Sequence, residues 1–408
     1  METFVAKQPI FDRNLNVFAY ELLFRSGLEN ACHAVDLSQA SSKIISDALH
    51  LNALQTLTGG RPAFINVTRD ILLREFALFL PSELTVIEIP ETINPDSEVL
   101  AACEKLKKAG FLIALDDFVY RPEIEPLVRL ADFVKVDILQ TQSRERQALV
   151  RRFTPFRIRL VAEKVETRRE FEAVRAMGYS FFQGYFFAEP IVLETRDIPG
   201  SKLQLFRILQ EIHHADLDFD RIEEIIKQDL SLCYKFLRYI NSAYFGIREK
   251  IRSIRHALVL LGEREFKKWV SLVAIAGMGE DKPQELVVRA VERAKFYEAL
   301  APLVHLGDRS GDLFLMGMFS LIDAVLDRPL TELLDDLPIA HDIKSALLGT
   351  PGPLRDIHLC LLAYERGDWP DFAQRAAGIG ISEEVFPPLY WSALAWSRES
   401  IREPACVG

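Results

Sequence analysis

Residues 85–137 read TVIEIPETINPDSEVLAACEKLKKAGFLIALDDFVYRPEIEPLVRLADFVKVD. Three short runs in it, Thr85–Ile89, Leu112–Leu115 and Phe133–Val136, are strand-like. Val99–Ala109, between the first two, carries apolar residues three or four apart, and Gly110 follows where a helix C-terminal glycine is expected. Runs apolar on both faces and separated by helices belong to a parallel sheet buried on both sides. The same pattern extends upstream to Val17–Leu23 and Ala63–Val67. Downstream it reaches Arg159–Ala162 and Phe181–Phe187, with Thr167–Met177 as a further helix closed by Gly178. Seven or eight such units, ending near residue 190, imply an α/β fold, a TIM-like (β/α) barrel at the short end of its size range.

Composition bounds the rest. A chain of 408 residues has room for two or three domains at about 150 residues each. A hydrophobic share of 49% and a charged share of 26% are those of a globular protein. The net charge of −10 argues against a nucleic-acid polymer as partner. Cys32, Cys103, Cys233, Cys360 and Cys406 are scattered with no CxxC pair, as expected of reduced thiols in a cytoplasmic protein. The opening METFVAKQPIFDRN has no basic-then-apolar leader pattern. The apolar stretches Trp269–Gly279 and Leu313–Leu326 are too short for a membrane span or carry Asp323, so no membrane association is expected.

After the linker-like segment around 196–201 the strand signals stop. Leu203–Ile212, Arg221–Leu230, Leu232–Ile240, Ile254–Leu261, Glu263–Ala276 and Gln284–Leu300 carry helical periodicity. It continues through Leu313–Leu326, Ala340–Leu348, Leu354–Tyr364 and Asp371–Ala377. The expected organisation is a barrel over 1–195, a linker over 196–201 and an all-α domain over 202–408 with its core at about 202–300. The barrel is expected to fold without residues 201–408.

Polar residues gather at the strand ends. Glu21, Asn66, Glu88 with Glu91, Asp116 with Asp117, Lys135 with Asp137, Glu163 with Glu166, and Gln183 all sit in or just after a strand. In a barrel these ends converge on the face that holds active sites. One such carboxylate is most simply a helix N-cap. Six oxygen ligands in one mouth are not, because crowded acids need cations to neutralise them. Oxygen donors without His or Cys select hard ions such as Mg²⁺ or Mn²⁺. A pair of these ions is the usual clamp for phosphodiester hydrolysis.

The first 190 residues resemble the EAL family of cyclic di-GMP phosphodiesterases. KQPIFD at 7–12 is similar to the family's opening segment, and Tyr20-Glu21-Leu22-Leu23-Phe24-Arg25 stands at its signature site as ELL-x-R. Asn66, Glu88, Asp116, Asp117, Lys135, Glu163 and Gln183 match its remaining functional positions in order. The resemblance implies that Glu21, Asn66, Glu88, Asp116, Asp117 and Glu163 hold two Mg²⁺ or Mn²⁺ ions. It implies that Lys135 and Glu163 position and deprotonate the attacking water, that Gln8, Arg25 and Gln183 bind substrate, and that the product is linear pGpG. Two departures stand out. The family's Gly-rich loop after DDF is Val119-Tyr120-Arg121-Pro122-Glu123 here, leaving Glu91 without its usual partners, and VAEGVE becomes VAEKVE with Lys164. These leave open a barrel that binds cyclic di-GMP as a receptor, or serves as a scaffold.

LRYINSAYFG at 237–246, IRSIRHAL at 251–258 and Leu260-Leu261-Gly262 resemble the HDOD domain, an all-α relative of the HD phosphohydrolases. LLAYERGDW at 361–369 is similar to the tail of proteins that pair EAL with HDOD. His213-His214 and His341-Asp342 lack the distributed His and Asp spacing of a working HD site and read as surface or helix-end histidines. Asn241 and Ser242 read as helix caps or bridges, and Lys267-Lys268, Arg252 and Arg255 as solvated faces. The implied role is a bacterial signalling protein whose HDOD domain docks another, unidentified signalling protein, with a homodimer as a further possibility.

Overall fold

A computed structural model describes residues 3–26, 51–188, 200–213, 254–337 and 339–401. Eight strands close a barrel in chain order: β1 (Thr3–Phe11), β2 (Val17–Ser26), β3 (Ala63–Asn66), β4 (Thr85–Ile89), β5 (Leu112–Leu115), β6 (Phe133–Asp137), β7 (Arg159–Glu163) and β8 (Phe181–Gln183). Seven strands were legible as apolar runs. β1 was not, because Lys7, Gln8 and Pro9 interrupt its alternation. It is also the strand that breaks the all-parallel expectation, running antiparallel to both β2 and β8. A tight turn rather than a helix joins it to β2. The Asp12 carboxylate accepts from the Asn14 and Asn16 amides at 2.8 and 2.9 Å, and Leu15 takes a φ of 65°.

Helices α1 (Leu51–Thr58), α2 (Arg69–Leu73), α3 (Ser97–Lys108), α4 (Glu125–Val128), α5 (Ser143–Phe153) and α6 (Arg168–Met177) lie between the parallel strands. Their ends follow from local chemistry. Asp96 caps α3 by accepting from the Glu98 and Val99 amides, and Val99, Ala102, Cys103 and Leu106 face the sheet. Thr167 and Glu170 form a reciprocal capping box on α6, and Gly178 closes it in the left-handed region.

Beyond the barrel the described chain is helical: α7 (Gly200–Ile212), α8 (Ile254–Met278, broken at Gly262), α9 (Gln284–Leu300), α10 (Ser310–Phe319), α11 (Ile322–Leu326), α12 (Leu330–Asp336), α13 (His341–Leu347), α14 (Pro353–Arg366), α15 (Trp369–Gly378) and α16 (Phe386–Ile401). The expected helices at 221–230 and 232–240 lie outside the described residues. The chain forms two compact units. One is Pro190–His358 with Ile379–Ile381 and Leu389–Gly408. The other joins Met1–Glu189 to Leu359–Gly378 and Ser382–Pro388. The expectation of one helical block over 202–408 is thereby corrected: its 359–388 portion, apart from Ile379–Ile381, belongs with the barrel. The reason is aromatic packing. Phe4 on β1 meets Trp369 and Phe372 with ring centroids 6.3 and 6.2 Å apart, and the buried Tyr364 donates its hydroxyl to the Val5 carbonyl at 3.1 Å. Among the described residues no helix is long and apolar enough to cross a membrane.

Candidate active site

The barrel interior is filled by one layer of side chains: Ile10, Ala19, Phe64, Val86, Ala114, Phe133, Val161 and Phe181. Side chains two apart along a strand share a face. One step further toward the mouth, each parallel strand therefore presents the residue two positions on. These are Glu21, Asn66, Glu88, Asp116, Lys135, Glu163 and Gln183. Antiparallel β1 presents the residue two positions back, Gln8. Every one of the eight is polar. The hydrophobic layer seals the floor, and the next layer up is the candidate site.

Lys135 is its hub. Its ammonium is fully buried and lies 2.7 Å from Glu88 Oε1, 2.8 Å from Glu163 Oε1, 2.9 Å from Asp116 Oδ1 and 3.1 Å from Glu21 Oε2. Gln183 Nε2 donates to Glu21 Oε2 at 2.6 Å and to Gln8 Oε1 at 2.9 Å. Asn66 Nδ2 donates to Glu21 Oε1 at 3.2 Å and to Glu88 Oε2 at 3.0 Å. One lysine against four carboxylates leaves excess negative charge in a largely buried site at the floor of a cleft. Burial, followed by repulsion from Glu21 and Asp116, drives the Glu88 carboxyl well above the usual range despite Lys135. Burial first, with Asp116 and Glu21 adding, pushes Glu163 up to about 8 against the pull of Lys135. Burial opposes the charge on Lys135, yet Glu163, Glu21, Glu88 and Asp116 together hold its pKa well above the ordinary lysine value.

The donor set fits hard divalent cations. Oxygens of Glu21, Glu88 and Asp116 lie within 4.8 Å of one another, the one group among the described residues close enough to share an ion. Glu88 Oε1 and Asp116 Oδ1 in this group are both engaged by the Lys135 ammonium, at 2.7 and 2.9 Å. Asn66, Asp117 and Glu163 were expected beside them. Asn66 turns its amide nitrogen to the cluster, while Asp117 and Glu163 line the same cavity, a cleft of about 590 Å³ shared with Gln8, Glu21, Asp116, Lys164, Glu166 and Gln183. Tyr185 and Arg366 complete its wall. Neither was read as a site residue: Tyr185 lies in the Phe181–Phe187 run and Arg366 in the LLAYERGDW motif, 183 positions beyond the last strand of the barrel, Phe181–Gln183. The backbone of Arg25 belongs to β2, but its side chain lies outside the described residues.

Backbone strain clusters at the mouth. Asp117 and Lys164, each following a candidate ligand, take φ values of 40° and 55°. A glycine would adopt this geometry freely, and Lys164 is held in it by an ion pair to Asp137 Oδ2 at 2.5 Å. Gly184 is required outright: at φ 143° a Cβ there would fall 2.0 Å from the Val165 carbonyl oxygen. The divergent loop is tied down without glycines. Arg121 is extended before Pro122, donates to the Glu91 carbonyl at 3.3 Å, and is followed by Pro122 in the first turn of a short 3₁₀ helix. Arg152 stacks over the neighbouring Tyr120 ring with its guanidinium carbon 3.5 Å from the ring centre.

The helical unit builds no comparable centre among its described residues. Asp342 is engaged bidentately by Arg309 at 2.6 and 2.9 Å, so the His341-Asp342 doublet ends in an ion pair. His213 Nε2 lies 3.0 Å from Ser271 Oγ, whose own hydroxyl donates to the Lys267 carbonyl. His214, Asn241, Ser242, Arg252 and the 237–246 motif lie outside the described residues.

A family model described as the EAL domain matches residues 18–190, and one described as the HDOD domain matches 198–326. The cyclic di-GMP phosphodiesterase CdgJ of Vibrio cholerae is 35% identical over 401 residues, covering 97% of this chain and 93% of CdgJ. YuxH of Bacillus subtilis is 32% identical over 404 residues, covering 97% of this chain and 98% of YuxH. Among solved structures, the PaMucR phosphodiesterase in its c-di-GMP complex matches 46% of this chain and 95% of its own, at 19% identity and a TM-score of 0.40. With an EAL domain on the barrel, an HDOD domain after it and a relative 35% identical over 93% of its own length, the chain belongs to the family of EAL proteins that carry a C-terminal HDOD domain.

Proposed function

We propose that the chain hydrolyses cyclic di-GMP to linear pGpG with two Mg²⁺ or Mn²⁺ ions. One observation carries this reading: all eight strands deliver a polar residue to the same layer, and those residues include Glu21, Glu88 and Asp116, whose oxygens are close enough to share a cation. The similarity to a relative named as a cyclic di-GMP phosphodiesterase over nearly its whole length supports it. Glu21, Asn66, Glu88, Asp116, Asp117 and Glu163 would hold the ions, which would lower the pKa of a water and offset charge on the phosphate. Glu163, fixed by Lys135, takes the proton from that water. The water oxygen bonds to phosphorus in line as the bond to the ribose oxygen breaks, and the leaving oxygen takes up a proton. Gln8, Arg25 and Gln183 hold the substrate in place.

A second reading, a receptor that binds cyclic di-GMP without turnover, is favoured by the glycine-free Val119–Glu123 loop and by Lys164 at a position suited to glycine. Buried, unpaired Cys103 and Cys360 suit a reducing cytoplasm, and the HDOD domain is assigned to docking an unidentified signalling protein. Turnover with Mn²⁺, with ligand binding followed in Ca²⁺ in parallel, separates the readings. Conversion to pGpG, lost at least about a hundredfold in Glu21→Ala, is expected for the enzyme. Binding without conversion identifies the receptor. Unchanged activity in Glu21→Ala removes the site assignment.

A further inference from the structure

Arg366 reaches the candidate site from outside the EAL domain. It is the last residue of α14, and its position is held from both sides. Tyr364, two residues earlier, is fully buried and bonded to Val5. Gly367, next in the chain, packs so closely that a Cβ would fall 2.6 Å from Leu23 Cδ1, at a φ of 70°. Trp369 follows, edge-on to both Phe4 and Tyr364. The Arg366 carbonyl accepts from Gln8 Nε2 at 3.1 Å, so this segment orients a candidate substrate-binding side chain directly. The Arg366 side chain is exposed along the cavity wall, with its guanidinium 5.5 Å from the centre of the Tyr185 ring.

The charges in the cavity give this placement a purpose. Glu21, Asp116, Asp117, Glu163 and Glu166 line it, and they repel a phosphodiester ligand. Of the cations, Lys135 is buried among four carboxylates and Lys164 is paired with Asp137. Arg366 makes no ion pair with a carboxylate among the described residues. A guanidinium offers phosphate two parallel N–H donors and keeps its charge at every relevant pH.

We propose that Arg366 is a substrate-binding residue that grips a phosphodiester of the cyclic dinucleotide, so that the C-terminal segment completes a site the EAL domain alone leaves unfinished. This rests on the cyclic di-GMP reading above. The test uses the full chain with Arg366→Ala and Arg366→Lys, measuring Kd for cyclic di-GMP in Ca²⁺ and steady-state turnover in Mn²⁺. Removing a charged hydrogen-bonding partner is expected to raise Kd and KM by about ten- to a hundredfold, with kcat within about threefold. The lysine variant is expected to recover part of the loss, and the melting temperature to stay unchanged because the side chain is exposed. Native-like Kd and KM in Arg366→Ala overturn the inference alone. A fall in kcat with KM unchanged also overturns it. A native chain that binds no cyclic di-GMP overturns both the inference and the reading beneath it.

Discussion

Lys135 carries more of the site's electrostatics than any other residue. Its ammonium is the one compensating charge inside a ring formed by Glu21, Glu88, Asp116 and Glu163. Replacing it with methionine keeps most of the volume and removes the charge, which strands the carboxylates against one another. Removing one partner from a buried ionic cluster costs about 3–5 kcal/mol. Lys135→Met is therefore expected to destabilise the barrel strongly in chelator and much less in Mn²⁺, where the cation takes over the neutralisation. Thermal melts under both conditions check this, and an equal loss in both removes the link between Lys135 and the ion site. That Lys135 and the acids belong together was legible at the strand ends. That one ammonium touches four of the acids was not, since contact distances depend on barrel closure.

At the scale of elements, His213, just past the end of α7, meets Ser271 on α8. Because Ser271 donates to the Lys267 carbonyl, its oxygen accepts from His213 Nε2–H, which sets the neutral tautomer. Burial, with Lys267 adding, depresses the histidine to about 3. Against an ordinary value near 6.5, the unfolded chain binds more protons than the folded one between these limits. The contribution is fully present above about pH 6.5 and is lost as pH falls toward 3, by up to about 1.4 kcal/mol per pH unit. Unfolding midpoints at pH 7 and pH 5 are expected to converge in His213→Gln relative to the native chain. An unaltered pH slope in that variant would falsify the assignment. The doublet His213-His214 reads along the chain as a surface feature, and only the packing of two helices distant in sequence shows why the first is sheltered.

The whole molecule departs from a simple two-domain layout, because the barrel unit is completed from the far end of the chain. Residues 359–378 and 382–388 join it through Tyr364, Trp369, Phe372 and Phe386. Burying an aromatic side chain contributes about 1.5–3 kcal/mol, so the loss of four is a large share of a domain's stability. A fragment comprising residues 1–201 is accordingly expected to melt well below the barrel of the full chain and to expose Phe4. Differential scanning calorimetry on fragment and full chain tests this. A fragment with full-chain stability would return the boundary to residues 196–201, where the change in periodicity alone had placed it.

The local code was enough for seven strands, the helix-closing glycines Gly110 and Gly178, the polar residues of the strand ends and the helical second half. Each depends on periodicity or on side-chain chemistry within a few residues. Three things were decided only by the tertiary structure: the antiparallel β1 hidden behind Lys7, Gln8 and Pro9, the convergence of four carboxylates on Lys135, and the arrival of Arg366 at the mouth. The β1–β8 pairing, the carboxylate cluster and Arg366 are contacts across long sequence separations, whereas the β1–β2 hairpin is local and its signal is lost in the polar run. Hydrophobic periodicity says which face of an element is buried, and it carries no information about what comes to cover that face.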